Sequence, residues 1–124
     1  MKITVDEQTK KFYLAFNEWV PVAGHEIKVG KYRFCAVPIL DYINISEATS
    51  GTSVLKIKIT PEVYMMTTTK KEAVQFLKGV GSDLVKIIKK HKKFEKKIEE
   101  ARRKTLDKLG QMPPIEVCEV EGAE

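Results

Sequence analysis

Three arginines, Arg33, Arg102 and Arg103, are the only guanidinium groups among 22 basic residues. A guanidinium binds a phosphate or carboxylate with two parallel hydrogen bonds, whereas lysine supplies a diffuse point charge. A defined anion site in this chain would therefore use one of these three. Trp19, Tyr32, Phe34, Tyr42 and Tyr64 all lie within residues 1–66. Aromatic faces stack on nucleobases while nearby cations hold phosphate, which makes Trp19, in a Pro/Gly-containing stretch, and Tyr32, beside Arg33, the candidate stacking surfaces. Thr67-Thr68-Thr69 precedes a helical pattern, and Thr69 at its head offers a hydroxyl beside unpaired helix N–H groups. The candidate ligand set is Trp19, Tyr32, Arg33, Thr69, Arg102 and Arg103.

Other chemistries find less to work with. His25 and His91 have no Cys, Asp or Glu at metal-ligand spacing. Ser50-Gly51-Thr52-Ser53 is not a nucleophile elbow. Gly79-Val80-Gly81 lacks the third glycine and the preceding strand of a dinucleotide fingerprint. Glu99 and Glu100 are placed for ordinary i,i+4 pairs with Arg103 and Lys104. No catalytic group, metal or cofactor is expected. Cys35 and Cys118 are far apart and form no CxxC pattern, so two reduced thiols are expected.

The elements that would position these side chains fall into two halves of one domain spanning residues 1–124. Residues 1–66 read as β-rich. Ile3–Val5 and Lys11–Phe16 form short strands in an expected hairpin, and Asn17–Gly24 reads as a loop because proline excludes a central strand position. Glu26–Val29 and Lys31–Val37 alternate about a turn at Gly30, and Pro38 breaks or bends the second. Leu40–Ile45 is a further strand, followed by turn chemistry in Glu47–Gly51. Ser53–Ile59 is the clearest strand, with Leu55, Ile57 and Ile59 inward and Lys56 and Lys58 outward. Val63–Met66 could add a short edge strand.

Residues 69–109 read as helical. Thr69-Lys70-Lys71-Glu72 has capping-box spacing. Ala73, Leu77, Val80, Leu84, Ile87, His91, Phe94, Ile98, Ala101, Thr105 and Leu109 then recur at near-heptad intervals. Gly110 and Pro113-Pro114 stop the pattern. Gly79 and Gly81 predict either a break there or one loosened helix. From Ser82 to Leu109 no Gly or Pro intervenes, which predicts a helix of roughly 40 Å. Within residues 111–124, Ile115–Val120 is either a last edge strand or an acidic tail. The fold class is α+β: an antiparallel sheet of five or six short strands, then one or two helices.

The net charge of +5 is unevenly placed. Residues 1–69 carry 8 basic and 7 acidic side chains, residues 70–110 carry 14 and 6, and residues 111–124 carry four glutamates and no base. Lys86, Lys89, Lys90, Lys92, Lys93, Lys96 and Lys97 crowd one segment, where like charges call for supporting packing or an anionic partner. No apolar run approaches the ~18 residues of a membrane span. The start of the chain lacks the apolar region of a secretory leader, so a cytoplasmic protein is expected.

The layout of Thr49-Ser50-Gly51-Thr52-Ser53-Val54-Leu55, a following strand and then Thr69-Lys70-Lys71-Glu72-Ala73 resembles small phage and prophage proteins. In architecture it is similar to phage anti-defence proteins of the Thoeris-countering type, which sequester nucleotide immune signals. The resemblance spans residues 40–109 and carries over no individual ligand residue. It implies a non-enzymatic protein that sequesters an anionic nucleotide-like molecule, in the host cytoplasm if phage-encoded. The near-heptad stripe adds an expectation of homo-oligomers. Nucleic-acid binding through the basic helix, or docking of a protein partner on it, are the competing expectations.

Overall fold

The computed structural model describes residues 1–118, so Glu119 and Val120 of the last proposed strand lie outside the described residues. The α+β class holds: a seven-stranded antiparallel sheet is followed by helices. Strands β1 (Ile3–Val5), β2 (Lys10–Ala15), β3 (Trp19–Val29), β4 (Tyr32–Ile39), β5 (Tyr42–Glu47) and β6 (Thr52–Lys58) precede α1 (Pro61–Met65), α2 (Lys70–Lys90) and α3 (Phe94–Leu109); β7 (Glu116–Val117) follows. The strand order is β6-β5-β4-β3-β2-β7, with β1 also on β3.

The first two strands do not form the expected hairpin. Both pair with the long β3, β1 along Ile27–Val29 and β2 along Trp19–Gly24. The stretch expected as a loop is thus strand, and Pro21 fits because this half of β3 is bonded to β2 alone while β4 takes up at His25. Proline is tolerated where one side of a strand carries no ladder. At the switch between the two halves, a side chain on Gly24 would strike the Ala36 carbonyl. That close approach lets the outer half of β3 fold over β4. Pro38 stays within β4, opposite Ile43.

The folding-over gives the sheet two apolar faces. Phe12 and Leu14 of β2 pack against Cys35, Val37 and Ala48. On the opposite face Ile27, Val29, Phe34, Ala36 and Ile45 meet Leu77, Val80, Leu84, Ile88, Phe94 and Ile98 of the helices. The run Phe34-Cys35-Ala36-Val37 is buried throughout, as a central strand covered on both faces requires. The end of β2 reaches the far side of the sheet, where the Ala15 N–H donates to the Gly51 carbonyl at 3.0 Å. Gly51 (φ 72°) sits there because a side chain would strike the Tyr13 carbonyl and the Trp19 ring.

After β6, Val63–Met66 is not an edge strand. Thr60 caps α1, its hydroxyl accepting from the Val63 N–H at 3.2 Å, and Pro61 occupies the first turn. That Thr-Pro pair is a helix start, read from sequence only as a strand end. The Thr69 cap on α2 is as expected, with the Glu72 N–H donating to its hydroxyl at 3.1 Å.

The helical break lies elsewhere than expected. α2 runs through Gly79 and Gly81 without interruption and ends at His91; α3 begins at Phe94. Gly81 is buried where a side chain would collide with Ile3, whereas Gly79 faces open space. One serves helix–sheet contact and neither breaks the helix. Two physical reasons place the break at 91–93. A straight helix over 70–109 would be about 60 Å long, far beyond strands of this length at ~3.3 Å per residue. It would also stack Lys86, Lys89, Lys90, Lys93 and Lys97 at like-charge i,i+3 and i,i+4 spacings. Turning at His91 returns Phe94 and Ile98 to the core, where the Phe94 ring meets Tyr32 edge-on at 5.0 Å.

Candidate functional site

The fold brings four of the six proposed ligand residues together. Tyr32 and Arg33 on β4 and Arg102 on α3 line one groove of about 180 Å³, with Glu47, Thr49, Glu95 and Glu99. Trp19 lines an adjoining groove of about 210 Å³ that shares Thr49 and Arg102 and is closed by Leu106 and Gly110–Met112. Thr49 is held between them by Glu47. The buried Glu47 carboxylate accepts from the Thr49 hydroxyl at 2.7 Å, the Thr49 N–H at 3.1 Å and the Ser50 N–H at 2.8 Å.

Each of these side chains already has an internal partner. Arg33 donates to Glu26 through Nε at 2.7 Å and Nη2 at 3.2 Å. Glu26 is only 2 % exposed and also takes Lys10 at 2.7 Å, which in turn reaches Asp6 at 3.0 Å. Burial pushes the Glu26 carboxyl up, but Arg33 and Lys10 outweigh it and hold it below the ordinary carboxylate value. The Trp19 Nε1–H donates to the Gly110 carbonyl at 3.1 Å. Tyr32 is half-buried against Phe94, with the Lys31 ammonium 5.5 Å from its ring centre. Arg102 donates to the neutral Thr49 hydroxyl at 3.0 and 3.2 Å and has no carboxylate within ion-pair distance among the described residues. Of the cations lining the two grooves, Lys31 is paired with Glu95 and Arg33 with Glu26, which leaves Arg102 as the lining cation without a carboxylate partner among the described residues.

The other two proposed residues stand apart. Thr69 is at the opposite end of α2, lining a cavity of about 470 Å³ with Thr67, Thr68, Lys70, His25 and Cys118; its hydroxyl donates to Glu72 at 2.9 Å. Arg103 is exposed on α3.

The break at His91 creates a feature that sequence reasoning placed only roughly. Lys89 and Lys90 end α2, Lys92 and Lys93 form the turn, and Lys96 and Lys97 lie in the first turns of α3; all six are exposed. Among the described residues none of the six forms a salt bridge. Glu95, the acid in their midst, is taken by Lys31 at 2.6 Å, and Lys97 donates to His91 Nδ1 at 3.4 Å. The expected pairs Glu99–Arg103 and Glu100–Lys104 are not among the ion pairs of the described residues. The lysine run was visible in sequence. Its concentration at the exposed turn between two helices was not, because no Gly or Pro marks the turn.

No group of three or more His, Cys, Asp or Glu side chains among the described residues is arranged to hold a metal. Cys35 and Cys118 are both free; burial pushes the Cys35 thiol up to about 12. No helix among the described residues is long and apolar enough to cross a membrane. Compared with protein-family models, curated proteins and solved structures, the chain matches none.

Proposed function

We infer that this protein binds the phosphate backbone of nucleic acid through the corner between α2 and α3, without reading base sequence. The observation that carries the reading is the set of six exposed lysines between Lys89 and Lys97 with no carboxylate partner among the described residues. A protein folding for stability alone gains nothing from like charges at this density, whereas a polyanion converts them into attraction by releasing its counterions. Lysine in place of arginine suits contacts that position a backbone without base specificity. Anisotropy titrations of labelled single-stranded and duplex oligonucleotides across a salt series test the reading. Five or six phosphate contacts give a log–log slope of roughly −4.5 to −5.5 on duplex; a flat titration overturns it.

A second reading is supported by the convergence of Trp19, Tyr32, Arg33 and Arg102 on grooves sharing Thr49. Here a small nucleotide-like anion is held by Arg102 beside Trp19, which is the sequestering role that the phage anti-defence resemblance implies. Calorimetry with a panel of cyclic nucleotides and ADP-ribose tests it: binding that Arg102→Ala removes supports the reading, and silence across the panel sinks it. The stripe behind the expectation of homo-oligomers is largely covered by the chain's own sheet, so assembly would need other surface, such as exposed Leu106 and Val117.

A further inference from the structure

Between the helix-bearing face of the sheet and the start of α2 lies a cavity of about 250 Å³, remote from the lysine corner. Ala36, Pro38 and Ile43 form its sheet wall, with Ile59 beside them, and Ala73, Phe76 and Leu77 form its helix wall. Among the described residues, no carboxylate, ammonium or guanidinium lines it. Its polar groups are His25, Thr67 and Tyr64. The 40–41 turn is tied to its rim by the Ile59 N–H donating to the Asp41 carbonyl at 2.8 Å.

Two of the polar groups have a defined bonding sense. His25 Nδ1 lies 3.1 Å from the Asp6 carbonyl; a carbonyl only accepts, so Nδ1 carries the hydrogen, and in the Nδ1–H tautomer Nε2 is an acceptor. The Thr67 hydroxyl donates to the Val63 carbonyl at 2.9 Å, which leaves its oxygen to accept. The wall thus offers lone pairs and calls for a donor. Tyr64, which also lines the cavity, is 66 % exposed, and Met65 and Met66, which follow it at the end of α1, are exposed as well. Large apolar side chains left in water beside an apolar cavity mark a binding region, and methionine adapts its shape to what it meets.

We propose that this cavity is a binding site for a small uncharged aromatic molecule bearing one N–H or O–H donor, of the indole or phenol class. An apolar cavity of roughly 150 Å³ takes benzene, so this one has room for a fused bicyclic ring. The ring lies between Ala36, Ile43 and Phe76, and its donor meets His25 Nε2 or the Thr67 oxygen. The site is independent of the polyanion reading and would survive that reading's failure.

The test is a ¹H–¹⁵N titration with indole and with 1-methylindole, which lacks the N–H, on the parent protein and on Ala73→Leu, which fills the chamber from α2. Indole is expected to shift the amides of Ala36, Ile43, Ile59, Ala73 and Leu77 saturably, with a dissociation constant on the order of 1 mM or tighter. 1-Methylindole is expected to bind several-fold more weakly. Ala73→Leu is expected to abolish the shifts while keeping a dispersed spectrum; if it fails to fold, Ile59→Phe replaces it. Shifts scattered over the surface, shifts that persist in the filled variant, or equal affinity for the two probes would overturn the proposal.

Discussion

Gly81 of α2 lies directly over Ile3 of β1, so close that any side chain on the glycine would occupy the position of the Ile3 Cγ2 methyl. Gly79, two residues earlier, meets nothing. The pair separates two roles that look identical in sequence. Gly81→Ala is expected to destabilise by up to about 2 kcal/mol net, overpacking outweighing the roughly 1 kcal/mol that alanine gains in helix propensity. Gly79→Ala should stabilise by up to about 1 kcal/mol through helix propensity. Urea denaturation of both variants checks this, and equal effects in one direction would refute the packing.

The Glu26 cluster predicts a definite response to pH. The Glu26 carboxyl is held below its ordinary value by Arg33 and Lys10 against the opposing effect of burial. Asp6 is likewise held down, by the Gln8 N–H first and Lys10 second. A group whose folded pKa is depressed contributes stability above its unfolded pKa and loses it as pH falls through the folded one. Stability should therefore decline from roughly pH 4.3, the ordinary glutamate value, downward. Lys10 is raised, chiefly by its bond to Glu26, so its contribution is full at neutral pH and fades only above the ordinary lysine range. Glu26→Gln should cost about 3 kcal/mol at pH 7 by leaving Arg33 and Lys10 without their counter-charge, and should flatten the acid limb. A variant whose stability falls with acid as steeply as the parent's would contradict this.

Leu40 holds a left-handed conformation (φ 54°) at the tip of the β4–β5 hairpin while 92 % exposed. A branched side chain there costs stability and makes little contact in return. Leu40→Gly or Leu40→Asn should raise stability by about 0.5–1 kcal/mol, read as a higher thermal midpoint. An unchanged or lower midpoint would show that the leucine packs on something in solution.

Much of this architecture was legible because local chemistry and tertiary fold agree. Leu55 and Ile57 alternate with Lys56 and Lys58, Thr69 and Glu72 cap α2, and Gly110 (φ 80°) ends α3. What was not legible depends on the sheet's path. Pro21 looks like a loop residue until β3 is seen to change partners at Gly24–His25. The turn at His91–Lys93 follows from the reach of the sheet below it. Among the candidate site residues, choosing scarce arginines and aromatics found four that converge at Thr49. Sequence could not show that Glu26 claims Arg33 or that Gly110 claims Trp19, since both partners lie across the fold.

The central claim is that the α2–α3 corner is a phosphate-backbone surface. Lys89, Lys90, Lys92 and Lys96 have no side-chain hydrogen bond or salt bridge among the described residues, so changing them should leave the fold intact. The most direct measurement is the salt dependence of duplex binding for the parent and for the Lys89→Gln/Lys90→Gln/Lys92→Gln/Lys96→Gln variant, with circular dichroism confirming both are folded. Loss of four contacts should reduce the magnitude of the log–log slope by roughly 3–4 and weaken binding more than tenfold near 0.1 M salt. An unchanged slope and affinity in the folded variant would contradict the account.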